Sequence, residues 1–276
     1  MSLYPNKLVS ATFPSEGVLL LSINRPPLNC LNTELWLAIG EGCTIAGRDP
    51  EVRCIVLASE VEKLFTAGLD LNESLHREAV DPGRTALVLR DHIKLLQDAV
   101  SAIQLTEKPV IAAVHGMCLG GGIDIIAAAD VRYCSDNAVF SIKEVDVGLA
   151  ADVGSLQRLP KETASASLLY ELALTARNFG PEEAMKLGLV SRVVKGGRAG
   201  VTEAALETAK IIASKSPIAV LGTKHLLNYS REHTVQEGLE YTRVWNMAML
   251  QSEDLAKSFE AFATKKPAKY SKLAKL

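Results

Sequence analysis

Residues 110–114, Val110-Ile111-Ala112-Ala113-Val114, run straight into His115-Gly116-Met117-Cys118-Leu119-Gly120-Gly121-Gly122, after which an apolar stretch continues to Ala129. Five consecutive apolar residues read as a strand buried on both faces. The glycines read as a sharp strand-to-helix turn, where the backbone approaches a ligand closely and free N–H groups point at negative charge. The spacing is neither the G-x-G-x-x-G of a dinucleotide site nor a phosphate loop ending in G-K-[ST]. An ordinary tight turn accounts for the same residues.

The rest of the chain reads as one α/β core to about residue 195, with a helical part over 196–276 attached. Leu8–Phe13 and Gly17–Asn24 flank a turn and predict a hairpin. Asn32 caps a helix carrying Leu35, Ile39 and Ile45. Val52–Ala58 is a buried strand, and Ala86–Leu105 is a long amphipathic helix. Val131–Cys134, Ala138–Ile142 and Leu189–Val194 are further strand candidates, and most of the chain after Lys161 is helical in pattern.

Several function classes fall away on composition. The 30 Lys+Arg against 32 Asp+Glu leave a net charge of -2, so no global basic field draws the chain to nucleic acid. No apolar run approaches the roughly 18 residues needed to span a membrane. The five cysteines are odd in number and scattered, without metal-ligand spacing, so they read as reduced thiols and no metal site is expected. Met1–Lys7 has neither a signal-peptide core nor an Arg-rich presequence. Ala274-Lys275-Leu276 is a small-basic-Leu tripeptide, a variant of the peroxisomal address; a solvated basic tail is the plainer alternative.

Two other segments carry candidate chemistry. Ala67-Gly68-Leu69-Asp70-Leu71 is a second glycine turn. Two such turns can each offer one N–H to the same oxygen, although spacing alone does not show that they converge. Residues 141–154 hold three acids, Glu144, Asp146 and Asp152, among small and apolar neighbours. Apolar surroundings disfavour the charged carboxylate, which is how general acids and bases are made. If residues 144–147 are extended, Glu144 and Asp146 share a face; a solvated strand face, and an Asx-turn or helix cap for Asp152, are the plainer readings. Asp124 has a plainer reading too, as a first-turn carboxylate complementing its helix dipole.

Taken in order, Asn24-Arg25-Pro26, Phe65–Leu71, Pro109–Gly116 with Gly120-Gly121-Gly122, and Gly148-Leu149 with Gln157-Arg158-Leu159-Pro160 resemble the crotonase (enoyl-CoA hydratase/isomerase) superfamily over nearly the whole chain. Hydratases carry a glutamate at the position of Asp124, and a Pro-Glu pair where this chain has Lys143-Glu144. The run from Lys143 to Pro160 resembles the Δ3,5-Δ2,4-dienoyl-CoA isomerases, whose active-site acids match Asp124, Glu144 and Asp152. The resemblance implies a spiral of ββα turns with a helical trimerisation region, and a homotrimer or homohexamer. It implies an acyl-CoA thioester bound at residues 67–71 and Gly121, with its oxygen held by the amides of Leu69 and Gly121. The expected reaction shifts both double bonds of a 3,5-dienoyl-CoA without a cofactor, coenzyme A being part of the substrate. Enoyl-CoA hydration or 3-to-2 isomerisation is the nearest alternative, and a crotonase-fold RNA-binding protein a distant one.

Overall fold

The computed structural model describes Tyr4 and residues 7–73 and 81–274. Part of the N-terminal segment and the last two residues of the C-terminal tripeptide therefore lie outside the described residues. The order of elements is β1 (Val9–Ser15), β2 (Val18–Ile23), α1 (Thr33–Arg48), β3 (Cys54–Ser59), β4 (Leu64–Thr66), α2 (Pro82–Leu105), β5 (Val110–Val114), β6 (Met117–Leu119), α3 (Gly121–Ala127), β7 (Val131–Ser135) and β8 (Val139–Ser141). A 3-10 turn over Glu144–Val147 follows, then α4 (Ser155–Glu162), α5 (Ala166–Thr175), α6 (Pro181–Leu187), β9 (Arg192–Val194), α7 (Gly197–Ala213), α8 (Pro217–Ser230), α9 (Val235–Met249) and α10 (Glu253–Thr264).

Six strands form one sheet in the order β1-β2-β3-β5-β7-β9, antiparallel only between β1 and β2, and β4-β6-β8 form a smaller parallel sheet. Each of β3, β5 and β7 is thus followed by a short strand in the second sheet and then by a helix. This is the expected spiral of ββα turns. The predicted hairpin and helix cap form as read, with Asn32 accepting from the Leu35 amide.

The continuous apolar runs have the two-sided burial expected of parallel strands. In β3, Ile55 and Leu57 face the main core while Cys54, Val56 and Ala58 face a second cluster under α7. In β5, Val110, Ala112 and Val114 take the first side, Ile111 and Ala113 the second. The side chains that α7 lays on the sheet, Val201, Ala205, Ala209 and Ala213, recur every four residues and are mostly single methyl groups, so helix and sheet approach closely.

The glycine turn at 115–122 contains a strand, and another strand leads into the turn at 67–71. Residues 65–66 belong to β4 and 117–119 to β6, and three residues are too few to show a period of two. Residues 144–147 form a 3-10 turn and not an extended segment. Two residues apart there, side chains diverge instead of sharing a face. Asp146 accordingly points to solvent and pairs with Lys143 at 2.6 Å, while Glu144 turns inward.

Candidate active site

The parallel pairing of β4 with β6 brings the two glycine turns together, because each turn leaves the same end of neighbouring strands. A Cβ on Gly68 would stand 2.9 Å from the Leu119 carbonyl oxygen, and one on Gly122 would stand 2.5 Å from Thr66 Cγ2. Gly68 also has a φ of +90°, a conformation that L side chains rarely adopt. Beneath Gly121 lies the ring of Trp36 from α1, 2.6 Å from where a Cβ would be.

Both turns present open amides. Leu69 forms a parallel bridge with Leu31, in which Leu31 N–H donates to Gly68 O and Asp70 N–H donates to Leu31 O. The Leu69 amide between them faces the other way. Gly121 is the first residue of α3, where helix geometry leaves the N–H without an intrahelical acceptor. Among the described residues neither amide is seen donating a hydrogen bond.

The turn at 67–71 is locked from outside. Asn29, fully buried, donates to Ser59 Oγ and to Phe65 O, while Thr66 Oγ1 donates to Asn29 O. Asp70 accepts from the Asn72 amide and pairs with Arg25 at 2.7 Å, interactions that hold its carboxyl below the usual range. The Asp70 side chain is therefore committed to the turn itself, and Leu71 is exposed.

Three carboxyls gather beside these turns from three different segments. Asp124, in α3, is 1 % exposed, and burial raises its pKa to about 6 against the opposing pull of Ser155. Glu144 lies against Gly120, and burial followed by the charge of Asp124 and then Asp152 raises it to about 7. Its Oε2 is buried without a hydrogen-bond partner. Asp152, half-buried before α4, is also raised by burial, with His92 of α2 opposing. The cap of α4 is Gly154, so Asp152 is not a helix cap. Asp124 does more than complement the start of α3: it accepts from Ser155 at the start of α4.

A carboxylate near another binds its proton more tightly, because like charges repel. Three neighbours were not singled out in the sequence: Ser155, His92 and Gln97, whose Nε2 donates to the Asp152 carbonyl at 2.7 Å. Arg158 stands in a motif of the resemblance without a role, and like the other three it acts by reaching across from another segment. Among the described residues no group of three or more His, Cys, Asp or Glu side chains is arranged to hold a metal, and no helix is long and apolar enough to cross a membrane.

The enoyl-CoA hydratase/isomerase family matches residues 14–273. The chain belongs to that family. Within it, the chain is 46% identical over 270 residues to a human mitochondrial Δ3,5-Δ2,4-dienoyl-CoA isomerase, covering 96% of this chain and 82% of that one. It is 44% identical to a peroxisomal Δ3,5-Δ2,4-dienoyl-CoA isomerase of Arabidopsis thaliana, covering 94% of both. Among solved structures of the family, an enoyl-CoA hydratase from Bacillus anthracis superposes with a TM-score of 0.86 at 27% identity, covering 96% of this chain and 99% of that one. The hydratase/isomerase frame is thus held in common with a protein of different named chemistry.

Proposed function

We infer that this chain is an isomerase that converts 3,5-dienoyl-CoA into 2,4-dienoyl-CoA in the breakdown of unsaturated fatty acids. The observation that carries this reading is the meeting of Asp124, Glu144 and Asp152, each raised by burial, beside two turns with open amides. Relatives named for this isomerisation match over nearly the whole chain, which favours it over hydration or 3-to-2 isomerisation.

The chemistry needs what the three acids supply. Glu144 removes a proton from carbon 2, and the electron pair spreads through the thioester and both double bonds as a dienolate. The amides of Leu69 and Gly121 hold the thioester oxygen as its charge grows, an effect that commonly supplies the largest single share of such catalysis. Asp152 delivers a proton to carbon 6, leaving double bonds at carbons 2 and 4. One proton leaves, one arrives, and no electrons are gained or lost, so the scheme requires no redox cofactor. Asp124 acts on Glu144 through its charge and tunes it.

Purified protein given 3,5-dienoyl-CoA should generate the absorbance of the conjugated 2,4-dienoyl product. Hydration of a 2-enoyl-CoA without that absorbance would move the chain to the hydratase reading. A homotrimer or homohexamer is part of the proposal, supported by apolar side chains left exposed on α9 and α10, among them Met247, Phe259 and Phe262. Residues 274–276 serve as a peroxisomal address read by the import receptor, supported by their sequence and by the peroxisomal relative.

A further inference from the structure

One oxygen of Asp124 is committed twice to a single residue. The N–H and the Oγ–H of Ser155 both donate to Asp124 Oδ1, each at 2.6 Å, and Ser155 is fully buried. Ser155 opens α4, so an amide that its own helix leaves unused is directed at a carboxylate from α3. Arg158, one turn on, is near enough for its charge to act on Asp124. Its guanidinium is fixed in place: Nε donates to Gln104 Oε1 at 2.8 Å, Nη2 donates to Ser101 Oγ at 3.0 Å, and the group fills the space over Gly154 where a side chain would stand.

We propose that Ser155 and Arg158 are positioning residues for the isomerisation: they keep Asp124 ionised in dry surroundings, and the Asp124 anion keeps Glu144 a strong enough base for the carbon 2 proton. This rests on the reading of Glu144 as the base. A lone carboxylate at that depth takes up a proton, because burial penalises the charged form. Two donors and a fixed guanidinium oppose that penalty. The charge so preserved then makes ionising Glu144 harder, which is the sense in which Asp124 acts on it.

Other charged or titratable groups face this cluster from each side. Asp152 acts on both Asp124 and Glu144, and His92 of α2 acts on Asp152. The Cys118 thiol of β6 faces Asp124, and Glu162 and Arg231 act on Arg158. Lys143, adjacent to Glu144, is turned away to Asp146 and to the Ala176 carbonyl.

The test is the pH dependence of kcat/KM for 3,5-dienoyl-CoA. In Ser155→Ala and in Arg158→Gln, Asp124 takes up its proton more readily, Glu144 loses its charged neighbour, and the acid limb should move to lower pH by about one unit. Ser155→Thr keeps the hydroxyl and should keep the wild-type limb. Asp124→Asn, which removes the charge itself, should shift the limb in the same direction as the alanine variant. An acid limb that stays put or moves to higher pH in both Ser155→Ala and Arg158→Gln, with wild type active, overturns the proposal alone. A wild type without isomerase activity overturns the underlying function and the proposal together.

Discussion

Glu144 rests against Gly120 so closely that a Cβ on the glycine would stand 3.2 Å from Glu144 Oε1. The glycine also has a φ of +50° with a ψ of -121°, a sparsely populated conformation that costs an L residue on the order of 1–3 kcal/mol. Gly120→Ala should therefore push the carboxylate off its position. Turnover is expected to fall at least ~10-fold, because small misplacements of a reacting group are costly in rate. Melting should shift by only a few degrees. Steady-state kinetics alongside a thermal melt checks both, and unchanged turnover would show that Glu144 need not sit there.

The pH profile has a definite sign. Glu144 is raised to about 7, so as a base it is inactive when protonated, and kcat/KM for the free enzyme should rise with pH through about 7. Asp152 must carry its proton to donate it, and burial raises it from the ordinary aspartate value, in the direction that favours the protonated form. A kcat/KM that does not change with pH through about 7 would remove Glu144 as the base.

Asp152→Asn tests the donor directly. The amide keeps the shape of the carboxyl and cannot deliver the proton, so turnover should drop by ~100-fold or more, the usual share of a general acid. The folded state should be unaffected by far-ultraviolet circular dichroism. Near-normal turnover in that variant would assign carbon 6 protonation to another group.

Asp124→Asn should make the protein more stable while impairing it. The folded-state value of about 6 lies above the unfolded 3.8, so the folded protein binds the extra proton and stability declines as pH rises between those values. The penalty is absent below the unfolded value and complete above the folded one. An asparagine, whose Oδ1 still accepts from Ser155, removes that penalty, by on the order of 1–3 kcal/mol at pH 8. Denaturant melts at acid and alkaline pH check it: the gain should be present at pH 8 and vanish near pH 4.

Ala209→Leu gives the reverse pattern. It adds three carbons where α7 meets the second core cluster, on the face of the sheet away from the main core. Overpacking of this kind costs about 1–3 kcal/mol. Stability should fall with kcat retained, and a matching loss of kcat would show that the sheet transmits strain to the turns.

The long elements were legible in the sequence because their patterns are long: β5 is found at the residues that its apolar run marks, and Asn32 caps α1 as its position suggests. Both glycine turns could be located as well, but not their meeting, which depends on the pairing of β4 with β6, two strands of three residues each. Asp124, Glu144 and Asp152 could be named through the resemblance, while their arrangement could not, since they arrive from a helix, a 3-10 turn and the approach to another helix. Ser155 and Arg158 left no trace of their contacts with Asp124 because hydrogen bonds between distant segments have no periodicity. Asp146 shows the opposite failure: it stands two places from Glu144 with the same charge, and the backbone turns it to solvent.

The division of labour between the turns and the acids bears on how such enzymes diverge. The open amides belong to main chain fixed by strand pairing and by side chains outside the carboxyl cluster, Asn29 and Thr66 among them. The three carboxyls sit on segments that contribute nothing to either sheet. A lineage can therefore exchange one acid for a neutral residue, or move it by a turn, without disturbing the device that receives the thioester oxygen. New reactions on this scaffold are open to single substitutions, and a frame common to this chain and a hydratase at 27% identity is what such inheritance leaves behind.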